Sequence, residues 1–311
     1  MAEETLLDDS AGAFGDQLTR YRRELLVHCY RMLGTIDEAE DAVQEAFTRA
    51  WQGRQTFRRS VSFRAWLYRI ATNVCLNAIE VRKRDLANPG QAIGPCPDDL
   101  LTVIAAPEPG PEARYDAHES VSLAFLTVLQ VLPPRQRAVL LLRDVLALRA
   151  AEVAALLDMS VPAVNSALQR ARATLRGGYG SPVISSTQQE PRTVLDRYVR
   201  AWEAADVTGL VALLREDAVL AMPPMPMVIG ARPIGAFLAE SIFANATMRL
   251  KEAHANRSPA FGAYAQRSAG ASFNVFALLV ITVDSHQITR IDAFSDPDVF
   301  ARFELPLELA N

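Results

Sequence analysis

Apolar residues recur every three or four positions through most of the first 176 residues. From Ala39 they fall at Ala39, Ala42, Val43, Ala46, Phe47, Ala50 and Trp51, the stripe of an amphipathic helix. Asp37, Glu38, Glu40 and Asp41 occupy its first turns, where the helix dipole favours acids. A second stripe, Phe63, Trp66, Leu67, Ile70, Val74 and Ala78, predicts a helix capped by Ser62 and ending in Arg82-Lys83-Arg84. Residues 149–176 predict a helix-turn-helix. Its first helix buries Val153, Leu156 and Leu157, and Asp158-Met159-Ser160 makes the turn. Ser160 caps the second helix and Pro162 suits its first turn. There the stripe Val161, Val164, Leu168, Ala171 and Leu175 is expected to be buried.

After residue 191 the period changes. Two helical patterns, TVLDRYVRAWEAAD and VTGLVALLRE, precede β-like runs: AVLAM, FNVFALLVITV and QITRIDAF. One more helix is expected near 231–243. The order suggests an α+β domain with an antiparallel sheet. Residues 85–116, rich in Pro, Gly and acids, read as a linker, and 177–190 as a hinge. The expected organisation is two all-α domains, 10–84 and 117–176, then an α+β domain, 191–311.

The chain has 311 residues, enough for two or three domains. No long apolar run free of charge suggests a membrane span. The acidic N-terminus lacks a basic-then-apolar signal peptide, and Cys29, Cys75 and Cys96 show no CxxC spacing. A cytoplasmic protein without metal or cofactor is expected, with the His28-Cys29 pair read as helix packing.

Charge is unevenly spread. Overall, 36 acids outnumber 32 bases. Yet no acid occurs between Asp158 and Glu190. On the second helix of the helix-turn-helix, Asn165, Gln169, Arg172 and Arg176 align within about 60°, flanked by Ser166 and Arg170. Asn and Gln pair two-pronged with adenine, and Arg with guanine or phosphate, so this face suits duplex DNA. Residues 49–84 hold nine Arg or Lys and one acid, Glu80, with Trp51, Phe57, Phe63, Trp66 and Tyr68 interleaved. Bases stack on aromatics and phosphates pair with cations, so this segment suits single strands. Tyr68 lies off the apolar stripe and is expected to be the freer aromatic. Arg58, Arg59, Arg64, Arg69, Asn73, Arg82, Lys83 and Arg84 are the polar candidates.

These segments resemble a bacterial sigma factor. DEAEDAVQEAFTRAW is similar to the region-two helix that grips the polymerase clamp. SFRAWLYRIATNVCLNAIEVRKR is similar to the helix that opens the −10 element, and residues 132–172 to region four, which reads the −35 element. Regions one and three are missing, the mark of the extracytoplasmic-function (ECF) group. Residues 195–226 and 292–306 resemble the SnoaL-like, NTF2-type cone fused to actinobacterial ECF factors of the SigG/SigJ kind. The resemblance implies core RNA polymerase as partner, docked through Glu38, Asp41, Gln44 and Glu45. It implies promoter DNA as the second partner, with a duplex −35 and a single-stranded −10 element. It also implies that polymerase supplies most of the DNA affinity, which reconciles a net-acidic chain with local basic faces. The acidic linker would thread a basic path on polymerase. Two departures stand out: Asn165 occupies a common Lys position, and the linker has Ala-Ala-Pro-Glu-Pro-Gly-Pro-Glu-Ala where relatives carry a Trp-Leu-Glu-Pro-like stretch. A regulatory contact made through the linker is therefore not expected.

The C-terminal domain is expected to act in cis on the sigma domains. Trp202, Met222, Met225, Phe237, Tyr264 and Phe276 form a candidate pocket for a small-molecule ligand, with Met227 and Phe261 nearby. Asp292, His254 and His286 are candidate acid–base groups, but no Ser-His-Asp set or metal spacing accompanies them. No catalytic residue is assigned and an enzyme is not expected. Two alternatives stand: a DNA-binding regulator independent of polymerase, and a SnoaL-like enzyme fused to a DNA-binding module.

Overall fold

A computed structural model describes residues 11–57, 62–85, 93–101, 121–178, 191–284 and 286–310. The chain forms two compact units. One holds residues up to 93 and 99–181; the other holds Gly94–Asp98 and 182–311.

The first unit is helical. Helices α1 (Ala11–Leu33), α2 (Ile36–Gly53) and α3 (Phe63–Asp85) pack on one another. α2 buries Ala39, Ala42, Val43, Ala46 and Ala50, as its period requires. Trp51 leaves that stripe and is 37% exposed, because it sits one residue, or about 100°, beyond Ala50 on the last turn. On α3, Phe63, Leu67, Val74 and Ile79 are buried, but so are Tyr68 and Thr72, whereas Ala78 is exposed. The reason is that α3 is covered twice, by α1 and α2 and again by helices of the 134–156 region. A helix buried on more than one side loses its single stripe.

Helix α4 (Leu123–Val131) is almost wholly apolar and is capped by Ser122, whose hydroxyl accepts from Phe125 N at 3.2 Å. α5 (Pro134–Leu140) continues into a π-turn, Leu141–Val145. Its Arg137 is buried and donates to Met32 O at the end of α1, to the Gln130 side chain and backbone carbonyl, and to Leu132 O. The guanidinium thus fills the carbonyl end of α1 in place of water. α6 (Ala150–Leu156) and α7 (Val161–Gly178) form the helix-turn-helix. Asp158 turns the chain at φ 53°, a conformation Asp tolerates. Ser160 Oγ accepts from Ala163 N at 3.3 Å, the expected cap.

The second unit begins with α8 (Pro191–Glu203) and α9 (Val207–Leu213). Strands β1 (Leu214–Ala221) and β2 (Val228–Ile229) follow, then α10 (Ala231–Phe237), which runs on as a π-turn to Phe243. β3 (Thr247–Ala255), β4 (Ser258–Gln266), β5 (Phe273–Asp284) and β6 (Gln287–Phe294) complete the main sheet. α11 (Pro297–Arg302) and β7 (Glu308–Leu309) close the domain.

The sheet order is β2-β1-β6-β5-β4-β3, with β7 on β5. It is mixed rather than antiparallel: β1 and β6 run parallel, the long excursion through β2, α10 and β3–β5 supplying the crossover. Bulges at Ala263/Tyr264 and Thr282/Val283 bend it. One face carries Phe261, Ala263, Ala277, Leu279 and Ile291 and packs on Tyr198, Trp202, Leu210, Ile234 and Leu238 of the helices. On the other face, Gly262 lets Leu305 and Phe300 approach so closely that a Cβ there would lie 2.9 Å from Leu305 Cδ1. Among the described residues, no helix is long and apolar enough to cross a membrane and no three potential metal ligands cluster.

Candidate nucleic-acid interface

The outer face of α7 is polar and open. Val164, Ala167, Leu168 and Ala171 are buried, anchoring the helix on α5 and α6. Asn165, Ser166, Gln169, Arg170 and Arg176 are exposed. Val161, expected in the core, is 40% exposed beside them at the first turn. Arg172 departs from this face. Its Nε donates to Asp144 Oδ2 at 2.8 Å and its Nη2 to Oδ1, a two-pronged pair with a buried carboxylate. In the structure its guanidinium is held inward, with a smaller claim on bases than its position suggested.

The candidates on α3 divide in the same way. Arg69 is exposed and meets Asp158 at 3.2 Å, a surface pair that water screens and a ligand can displace. Asn73 is half-buried. Arg64 is bound to Glu24. Tyr68 is not the free aromatic expected: it is buried, and its hydroxyl donates to Glu24 at 2.7 Å. Burial first, and Glu24 next, hold that phenol well above its ordinary pKa, so it stays protonated. His28 stands edge-on to the Tyr68 ring at 5.0 Å and shares a 2.9 Å hydrogen bond with Thr72 Oγ1.

An exposed aromatic is found elsewhere. Trp51 carries the Arg54 guanidinium 4.8 Å over its ring and touches Phe14, which joins Phe57, Phe63 and Trp66 in an aromatic cluster. The signal available in the sequence was the position of Trp51 at the fading end of the α2 stripe. Arg58 and Arg59 lie outside the described residues, as do the side chains of Lys83 and Arg84.

Among the acids of α2, Asp41, Gln44 and Glu45 are exposed, Glu45 in an i, i+4 pair with Arg49. Glu38 is instead engaged by Arg82 at 2.8 and 2.9 Å and by the Thr35 hydroxyl at 3.0 Å. Glu38 and Arg82, assigned to different partners from sequence, clasp α2 to α3.

Three family models match in succession: Sigma-70 region 2 over residues 18–85, Sigma-70 region 4 over 122–175, and a SnoaL-like domain over 195–299. The chain is 38% identical to the ECF RNA polymerase sigma factor SigG of Mycobacterium tuberculosis, over 96% of this chain and 85% of SigG. The chain belongs to the ECF RNA polymerase sigma factors. The ECF factor SigW of Bacillus subtilis is 34% identical over 53% of this chain and 87% of its own. The crystal structure of Mycobacterium tuberculosis SigJ shares the fold, with TM-score 0.64 and 22% identity over 94% of this chain and 99% of SigJ.

In this sigma factor a different part of the linker makes a contact of its own. Gly94–Asp98 lies with the SnoaL-like unit, against the β3–β4 turn. Cys96 N donates to Asn256 Oδ1 at 2.9 Å, and Asn256 N donates back to Cys96 O at 2.9 Å. Asp98 Oδ1 accepts from Arg257 N, and Pro97 bridges Ala255 as a strand would. The turn residues Asn256 and Arg257 take φ of 56° and 59°. Backbone groups, Asn256 and Asp98 make this seat, so no aromatic motif announces it. The Ala105–Ala113 stretch lies outside the described residues.

The candidate pocket divides too. Trp202 is in the apolar core of the SnoaL-like domain, with Met222, Phe237 and Phe276 packed against it. Met225 is half exposed. Tyr264 stands on the opposite face of the sheet, edge-on to Phe300, its hydroxyl donating to Pro306 O at 2.8 Å. Asp292 is held by Arg290 at 2.7–2.9 Å, while His254 and His286 are exposed.

Proposed function

We propose that this sigma factor binds core RNA polymerase in the cytoplasm, recognises the −35 and −10 elements and promotes transcription initiation, with its SnoaL-like domain acting in cis. The observation that carries this reading is the exposed, acid-free face Asn165-Ser166-Gln169-Arg170 on the second helix of a helix-turn-helix. Such a helix lies in the major groove with its N-terminal half against base edges. Asn165 and Gln169 pair with adenine, Arg170 with guanine or phosphate, and Arg176 with phosphate. Trp51, Arg54, Arg69 and Asn73, with Arg58, Arg59, Lys83 and Arg84, serve the melted −10 strand through stacking and phosphate pairing. Asp41, Gln44 and Glu45 face the polymerase clamp. Residues 10–84 and 117–176 are the two promoter-reading domains, 85–116 and 177–190 the connections, and 191–311 the regulatory domain.

Run-off transcription with core polymerase on candidate promoters tests this reading. Promoter-specific transcripts are expected only when the chain is present; none across the set would overturn it. Asn165→Lys is expected to change the preferred −35 base without loss of polymerase binding.

Regulation in cis rests on the seat at Cys96–Asp98, because a linker held there is withheld from any path on polymerase. Asn256→Gly removes the acceptor while keeping the positive φ. The Cys96 amide is then expected to exchange about threefold to tenfold faster, the worth of one buried hydrogen bond, and promoter-dependent transcription to change by a similar factor. Faster exchange with unchanged transcription would count against the seat as a control point.

A further inference from the structure

Val161 is an apolar side chain left open at the start of α7. It is 40% exposed, whereas Leu168, two turns on and only about 20° from it around the helix, is 5% exposed. Nearly the same angle is thus buried on one turn and open on another. α5 and α6 cover the later turns, and the first turn reaches past them.

Single exposed valines are common on protein surfaces, and exposure alone assigns nothing. The position of this one does. A recognition helix enters the major groove with its N-terminal residues against base edges, and Val161 is the first residue of α7. It stands about 40° from the exposed Asn165, one turn on, so the two side chains address the same groove. The first turn is also stiff. Val161 branches at Cβ, which restricts its χ1, and the ring of Pro162 fixes the next φ. Ser160 Oγ holds the turn through Ala163 N at 3.3 Å. Little freedom remains to be lost on binding.

The chemistry open to a valine in the major groove is narrow. Most of what the base edges present there is hydrogen-bonding groups, which lose water against an alkyl side chain and gain nothing in return. The apolar group that the groove presents is the C5-methyl of thymine. An α-helix rises 1.5 Å per residue, so Val161 and Asn165 lie about 6 Å apart along its axis, between one and two base-pair steps of about 3.4 Å.

We infer that Val161 is a specificity-determining residue: its γ-methyls pack on the C5-methyl of a thymine in the −35 element, one or two base pairs from the adenine paired by Asn165. The inference rests on the reading of α7 as the −35 helix. It adds a base that no hydrogen bond selects, and it requires the thymine methyl itself rather than an A·T pair of either orientation.

The test uses the full chain with core RNA polymerase. The preferred −35 element is first selected from a randomised promoter library. Each thymine of that element, on either strand, is then replaced in turn by deoxyuridine, which lacks only the methyl and keeps the base pair. Binding of the chain–polymerase complex to each duplex is measured by fluorescence anisotropy. One replacement, within two base pairs of the position whose preference changes in Asn165→Ala, is expected to weaken binding about threefold to fivefold, the worth of one buried methyl. In Val161→Ala that penalty is expected to vanish, while the adenine preference set by Asn165 persists and shows that the helix is still formed and docked. Alanine is the stronger helix former, so the exposed first turn tolerates it. A flat uracil scan on a promoter that retains its −35 preference would overturn this inference alone. So would a uracil penalty of equal size in Val161→Ala. A library that yields no −35 preference would overturn both this inference and the reading on which it rests.

Discussion

Replacing Arg172 with alanine is expected to destabilise the helix-turn-helix by about 3–5 kcal/mol, the usual cost of breaking a buried ion pair from one side. The Asp144 side chain is 1% exposed and that of Arg172 is 22%. Both carboxylate oxygens are taken by the one guanidinium. Without it, a buried charge is left with less solvation than water or an arginine provides. Arg172→Lys recovers only part, because an ammonium cannot make the same planar two-pronged contact. Removing both partners costs less than removing one, so Asp144→Ala with Arg172→Ala is expected to regain a large share of the loss. Urea unfolding followed by circular dichroism measures all four proteins. A fully stable Arg172→Ala chain that had lost −35 selectivity would restore Arg172 to the DNA face.

Lowering the pH from 7 to 5 is expected to cost about 2 kcal/mol through His28 alone. Burial lowers its pKa from 6.5 to about 3, with Arg31 and then Arg64 adding repulsion. The folded state therefore keeps His28 neutral while the unfolded chain takes up a proton near pH 6.5. This contribution is fully present above about pH 6.5 and is lost progressively as pH falls toward 3. His28→Gln keeps a polar group near Thr72 and has nothing to titrate. Its melting temperature is expected to fall less than that of the wild type between pH 7 and 5. Parallel pH profiles would show that His28 does not carry the acid lability.

The helices were legible because one-sided burial writes a period into the sequence. Val164, Leu168 and Ala171 on α7 and the α2 stripe are where the spacing places them. What the period cannot encode is the partner across space. Tyr68 looked free because it lies off the stripe, yet Glu24, 44 residues away, holds its hydroxyl. Arg172 shares a helix face with Gln169, but Asp144 turns its side chain inward. The Arg82–Glu38 clasp and the Cys96–Asn256 seat are likewise contacts between residues remote in sequence. In the C-terminal domain, β5 and β6 announced themselves through Val, Ile, Phe and Thr. β3, with its charged positions, and β4, with Gly262 and three alanines, have weak strand composition and take their form from pairing with their neighbours.

Sequencing the transcripts that core RNA polymerase makes from a randomised promoter library, with this chain and with Asn165→Ala plus Gln169→Ala, tests promoter recognition most directly. The expected result is enrichment of one −35 and one −10 sequence by the unaltered chain. In the variant, selectivity should be lost at the two −35 positions while the −10 preference remains. Transcripts without any promoter preference, or a −35 preference indifferent to both substitutions, would contradict promoter reading by this face of α7.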